Sequence, residues 1–332
     1  MKNLAKLRVA TFPFHQPYQS LQFRNEQVEW YLIDGYRNIW WDIQEQSNPD
    51  IACQNNRALP LNVKRITIDD FLDHIHHYDV LLLPTADHGV WFQHLRKQIA
   101  TIFTHANTEP VGRPFKDMVG LGRIIHTCTY SEPLRSQDVF IPHGHDPEEF
   151  RYNQTGKSGI VFPTNRFKDI GERHPHPDRF GWDYRGLIPA LSVDVYGNNP
   201  LYSKEYDECF DVPFQEYRYV LPTYEIGLQL GWQRHRTFTT SEMMLSEIIV
   251  IARDEKNHFP DNMKTFIKNG ENGYIAKLPQ TFNRIVSIIN KMPQTWKEKI
   301  GAEARETVIR EQPMDKFIEG WQTVLEEAKI EW

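Results

Sequence analysis

Cysteine is scarce in this chain, with three in 332 residues, at Cys53, Cys128 and Cys209. So few, so widely spaced, exclude a disulfide framework or a structural zinc site and point to a reducing compartment, the cytoplasm. Long apolar runs are missing too. No stretch approaches the roughly 20 apolar residues that cross a bilayer, so integral membrane association is not expected. The opening Met1-Lys2-Asn3-Leu4-Ala5-Lys6-Leu7 lacks the apolar core of a secretory leader. Nor is positive charge in excess: 38 Lys and Arg stand against 44 Asp and Glu, a net charge of −6. That balance argues against a uniformly basic face for nucleic acid, though not against a local basic groove. Histidines do cluster, at His74-Ile75-His76-His77 and His174-Pro175-His176. Neither cluster has a carboxylate or cysteine at a ligand spacing, and no Asp-x-Asp pair occurs, so no metal site is expected. Internal repeats and low-complexity tracts are also absent.

What is present is aromatic surplus: 9 Trp, 14 Tyr and 19 Phe, whose main use is core packing. The length corresponds to about two domains at roughly 100–200 residues each. Continuous apolar centres predict buried strands at Leu7–Phe12, Tyr78–Pro84, Ile102–Thr104, Ile124–Thr127 and Val139–Ile141. Val28 to Tyr36 is expected to be helical. The polar stretch Arg151–Ser158 reads as a linker, after which strands restart at Gly159–Pro163. They continue at Leu191–Gly197, Tyr219–Pro222, Glu225–Leu230 and Ile248–Ala252. A helix from about Met314 to Lys329 ends the chain. Strands alternating with helical or loop segments make an α/β fold with parallel sheets covered on both faces.

Three segments carry the chemistry. Asn269-Gly270-Glu271-Asn272-Gly273-Tyr274-Ile275-Ala276 reads as a turn of small residues running into a strand. Pro142-His143-Gly144-His145-Asp146-Pro147-Glu148-Glu149-Phe150 ends the first half. The third, Thr239-Thr240-Ser241-Glu242-Met243-Met244-Leu245-Ser246-Glu247-Ile248-Ile249-Val250-Ile251-Ala252, places hydroxyls and a carboxylate ahead of a buried strand. The first resembles the Asn-Gly-x-Asn-Gly-[Tyr/Phe]-[Leu/Ile]-[Val/Ala] element that closes the donor site of retaining GT-B glycosyltransferases. The second resembles their Pro-Asn-Gly-Val-Asp-x-x-x-Phe segment, and the third their Glu-Ala-Met-Ala-x-Gly-x-Pro-Val-Ile motif. The resemblance is best over residues 120–310; elsewhere it rests on strand order.

That resemblance implies two Rossmann-like domains facing across a cleft, with the C-terminal helix crossing back to the N-terminal domain. Residues 1–150 would form the acceptor side, 151–312 the nucleotide-sugar side, and 313–332 the returning helix. It implies sugar transfer from a nucleotide-diphosphate donor with retention, without a metal or other cofactor. Glu242 would hold the donor ribose, and Thr239, Thr240 and Ser241 would cap the helix beneath the diphosphate, where backbone N–H groups are available. Arg234 and Arg236 flank that helix. Arg166 and Lys168, in Asn165-Arg166-Phe167-Lys168, resemble the Gly-Arg…Lys-Gly pair that clamps phosphate; a surface ion pair is the competing reading. Asp87, His88 and His105, near strand ends, are candidates for positioning the acceptor hydroxyl.

The departures are as informative. Arg234 stands where the family carries an earlier glutamate. Glu225 is either that glutamate displaced or a plain strand residue, and Glu247 stands where the family has a small residue or glycine. The glycine-rich loop expected after the first strand is replaced by Phe12-Pro13-Phe14-His15-Gln16-Pro17-Tyr18-Gln19-Ser20, a loop in which His15, Gln16 and Tyr18 would meet the acceptor. The acceptor is a glycan or a hydroxymethylated DNA base, as in phage enzymes of this fold. A catalytically silent nucleotide-sugar-binding module is the reading from another class.

Overall fold

The computed structural model describes residues 6–13, 16–34, 60–84, 92–105, 124–126, 139–150, 156–164, 181–197, 209–210, 212, 214–231, 237–254 and 263–332. These form two compact units, one holding the residues up to Gly144 together with Met314–Trp332, the other those of His145–Pro313. The first contains β1 (Leu7–Thr11), α1 (Gln16–Gln22), β2 (Val28–Asp34), β3 (Val63–Thr67), α2 (Ile68–Asp73), β4 (Val80–Leu83), β5 (Ala100–His105), β6 (Ile124–His126) and β7 (Val139–Phe140). The second contains β8 (Ile160–Pro163), α3 (Leu187–Leu191), β9 (Val193–Tyr196), β10 (Cys209–Phe210), α4 (Phe214–Val220), β11 (Ile226–Gln229), α5 (Phe238–Leu245), β12 (Ile249–Arg253), α6 (Met263–Phe266), β13 (Tyr274–Ala276), α7 (Pro279–Lys291) and α8 (Gln294–Glu311). The last helix, α9 (Met314–Glu331), belongs with the first unit.

Each unit is built on one parallel sheet. The first has the order β3-β2-β1-β4-β5-β6-β7 and the second β10-β9-β8-β11-β12-β13. Both orders reverse direction once, between β1 and β4 and between β8 and β11, and ligands of such sheets bind beyond the strand carboxyl ends near that reversal. The second sheet is covered on both faces. Ile160, Phe162, Ile249 and Ile251 enter one apolar cluster, and Val161, Val250 and Ala252 the other. Alternate residues of one strand thus feed opposite layers, which is why these strands read as unbroken apolar runs. Among the described residues no helix is long and apolar enough to cross a membrane.

Three local expectations are corrected. Val28–Asp34 is a strand, not a helix, paired with both β1 and β3; its inner residues Trp30 and Leu32 are buried, while Glu29 and Tyr31 bond outward to each other and to Lys64. The segment after β1 is not a loop throughout, because Gln16–Gln22 is helical. Pro17 is compatible with that helix since the first turn needs no N–H from it. Tyr219 and Val220 end α4, and Leu221–Thr223 form a 3-10 turn rather than a strand.

The returning helix α9 completes the first unit's core. Trp321 is fully buried, and its indole N–H donates to the Tyr18 hydroxyl at 3.0 Å. Tyr18 also meets His143 and Phe317 edge-on, with ring centroids 5.2 and 5.5 Å away. Asn25 Nδ2 donates to Gln322 Oε1 at 2.8 Å, and Lys329 pairs with Asp79 at 3.0 Å.

Candidate functional site

The polar groups of the second unit converge where β11 ends and α5 begins. Gly227, inside β11, lets α5 settle on the sheet: a Cβ there would collide with the Met243 sulfur. The helix starts at Phe238, so its cap is Thr237 rather than the expected Thr239, Thr240 and Ser241. Thr237 is extended (φ −89°, ψ 152°), and its Oγ1 accepts the Thr240 N–H at 3.1 Å. That hydroxyl lies 3.1 Å from Thr239 Oγ1 and 2.8 Å from Thr240 Oγ1. Gln229, the last residue of β11, approaches both hydroxyls with its Oε1 at 3.5 Å. Four polar side chains therefore gather around a helix amino terminus, where N–H groups lack intrahelical acceptors and the dipole is positive.

Thr240, Ser241 and Glu242 occupy one turn, as their adjacency requires, but their side chains differ in use. Ser241 is fully buried, and its Oγ donates to Gln312 Oε1 at 2.7 Å. The hydroxyl expected beneath a diphosphate is thus committed within the unit. Glu242 is buried as well, at 5% exposure, a carboxylate drawn into the helix base. His145 donates its N–H to the Gln312 carbonyl at 3.0 Å, and its ring meets Phe238, the first residue of α5, with centroids 5.2 Å apart.

The carboxyl end of α5 is held by two cations. Arg305 of α8 donates to the Leu245 carbonyl, and also to Phe150 O and Pro147 O at 2.9 and 2.8 Å. Lys157 Nζ donates to Ser246 O and Glu247 O at 2.5 and 2.8 Å. Burial pushes the Lys157 amine down to about 8, against the attraction of Glu247. Glu247 itself has φ 55°, a left-handed conformation that glycine adopts without strain. The family pattern has a small residue or glycine there, and the backbone explains why.

The other expected residues separate clearly. Glu225 precedes β11 at the amino end of the sheet, ion-paired to Lys297 with both oxygens at 2.9 Å. It lies at the opposite strand end from Glu242's helix terminus, so it is not a displaced donor glutamate. Tyr18, expected to meet the acceptor, is 2% exposed and serves the first unit's core. Gln16 begins α1. His105 ends β5, in register with His126 at the end of β6. His15, Asp87, His88, Arg166, Lys168, Arg234 and Arg236 lie outside the described residues.

Sequence reasoning missed Gln229, Thr237, Gln312 and Arg253. Arg253 ends β12 beside the same sheet edge, pairs through both nitrogens with Asp183 at 2.8 Å, and stacks on Tyr184 at 4.2 Å. The Asn-Gly-x-Asn-Gly turn proves to be a latch. Asn272 accepts the Lys268 N–H at 2.7 Å and donates to Phe266 O and Thr307 Oγ1, each at 3.0 Å.

No family model matches the sequence. Nor does any curated protein match it. Solved structures do share the fold. A glycosyltransferase from Rickettsia africae superposes with a TM-score of 0.64 at 10% identity, covering 98% of this chain and 99% of that one. HepE of Anabaena in complex with UDP-glucose gives 0.66 at 10% identity, over 97% of this chain and 100% of that one. Sucrose-phosphate synthase from Thermosynechococcus elongatus gives 0.65 at 10%, over 97% and 99%. The architecture defined by two parallel sheets and a returning helix is therefore that of the GT-B glycosyltransferases. Within that fold this chain is a divergent example.

Proposed function

We propose that the protein is a retaining, metal-independent glycosyltransferase that moves a sugar from a nucleoside-diphosphate donor to a glycan hydroxyl. The observation that carries this reading is the capped amino terminus of α5, ringed by Gln229, Thr237 and Thr239 at the carboxyl end of β11 with Glu242 in the same turn. Backbone N–H groups at a helix start donate readily to phosphate oxygens. A carboxylate one turn in accepts hydrogen bonds from ribose hydroxyls. HepE of Anabaena was crystallised with UDP and with UDP-glucose, which makes uridine diphosphate sugars the first donors to try.

In this reading the bond between the sugar C1 and the β-phosphate oxygen breaks while the acceptor oxygen bonds C1 on the same face. The acceptor's proton passes to the departing phosphate oxygen. Charge gathers on the diphosphate as the bond lengthens, and the α5 terminus, with Arg166 and Lys168, stabilises it. A net charge of −6 favours a glycan over a modified DNA base as acceptor.

The test is to incubate the protein with a panel of nucleotide sugars and follow release of nucleoside diphosphate, with and without glycan acceptors. One donor should release diphosphate slowly by hydrolysis. Binding without release would instead mark a silent nucleotide-sugar-binding module. Glu242→Ala should weaken donor binding at least about tenfold; unchanged affinity would remove the ribose assignment.

A further inference from the structure

Gln312 follows α8 directly and is 3% exposed. The helix it terminates runs antiparallel to α5. Gly301 abuts the Glu247 carbonyl, Arg305 reaches Leu245, and Gln312 meets Ser241 in the first turn of α5. Gln312 thus joins two segments far apart in sequence: its Oε1 accepts the Ser241 hydroxyl at 2.7 Å, and its backbone carbonyl accepts the His145 N–H at 3.0 Å.

We propose that Gln312 is a positioning residue for the donor diphosphate, acting through Ser241 on the first turn of α5. The inference rests on the reading of α5 as the donor-binding helix. An eight-residue helix frays readily on its own, and its N–H groups stabilise phosphate charge only if they are already aimed before it arrives. Thr237 secures the Thr240 N–H. The Ser241–Gln312 bond secures the same turn from the other side, against the end of an 18-residue helix. Ser241 therefore matters to the donor without touching it, which accounts for a buried hydroxyl at a position that the family pattern associates with phosphate.

The experiment compares wild type, Ser241→Ala, Gln312→Ala and the double variant. UDP, GDP, ADP and dTDP are titrated, and donor KM and kcat are measured with the matching nucleotide sugar. Each single variant should weaken diphosphate binding and raise donor KM about tenfold, with a smaller fall in kcat, because the α5 terminus holds the diphosphate in the ground state and also meets the charge added as the bond lengthens. The double variant should be no weaker than the weaker single, since both substitutions remove one bond. Melting temperatures within a few degrees of wild type separate this from general unfolding, and Ser241→Ala, which removes one oxygen, carries the test if Gln312→Ala does not fold. Unchanged affinity in Ser241→Ala, alongside a weakened Glu242→Ala, would overturn the role of Gln312 and leave the donor site standing. A wild type that binds none of the four diphosphates would overturn both.

Discussion

Lys157 Nζ donates to the main-chain carbonyl of Glu247 at 2.8 Å, tying the start of the second unit's sheet to the turn that ends α5. Burial lowers the lysine from 10.5 to about 8, so folding penalises its charged form. That penalty is fully present below pH 8 and is relieved as pH rises from 8 towards 10.5. Lys157→Met loses the donor to two carbonyls but also loses that penalty, so the pH trend carries the test. Urea unfolding should show the stability of wild type relative to Lys157→Met rising between pH 7 and pH 9.5, because the wild type alone is relieved of the penalty.

Glu247 holds a left-handed backbone at φ 55°, which costs a residue with a Cβ ~1–2 kcal/mol. Glycine repays part of this in its unfolded chain entropy. Glu247→Gly should therefore raise stability by ~0.5–1 kcal/mol, measured as a shift in the urea midpoint without change of slope.

Gly301 in α8 is placed so that a Cβ would stand 2.5 Å from the Glu247 carbonyl oxygen. Main chain on both sides cannot yield cheaply. Gly301→Ala should destabilise the protein by ~1–3 kcal/mol, despite alanine's better helix propensity, and thermal melting would register it.

Tyr18→Phe tests the correction made above for the segment after β1. Removal of the hydroxyl leaves the Trp321 indole N–H buried without its acceptor, a cost of ~1–3 kcal/mol. Donor and acceptor kinetics should stay unchanged at temperatures where the variant is folded. A loss of acceptor affinity at full stability would return Tyr18 to the acceptor side.

The parallel strands were legible because burial on both faces leaves little room for polar residues, as in Ile249–Ala252 and Val80–Leu83. β2 was not, since Glu29 and the half-buried Tyr31 interrupt its apolar run and are matched by Lys64 of a neighbouring strand, a pairing invisible along the chain. The exposed edge strand β3 carries too few buried residues to announce itself. At the site, a helix carrying Glu242 could be read from local order, but its start could not, since Thr237 caps it in place of Thr239, Thr240 and Ser241. Gln229 and Gln312 could not, because their relation to Thr240 and Ser241 exists only after the sheet and α8 bring them together. Along the chain Glu225 is open between two registers, and its place just before the first residue of β11 puts it at the amino end of that strand, paired with Lys297.

Phe317 and Trp321 of α9 fill the apolar interior around Tyr18, yet they are translated after every residue from His145 to Pro313. Half of the molecule is thus made first and finished last. While the ribosome works through His145–Pro313, the earlier half waits with an open aromatic face. Emergence of α9 from the ribosome, rather than appearance of the first sheet, sets the moment at which that half can close.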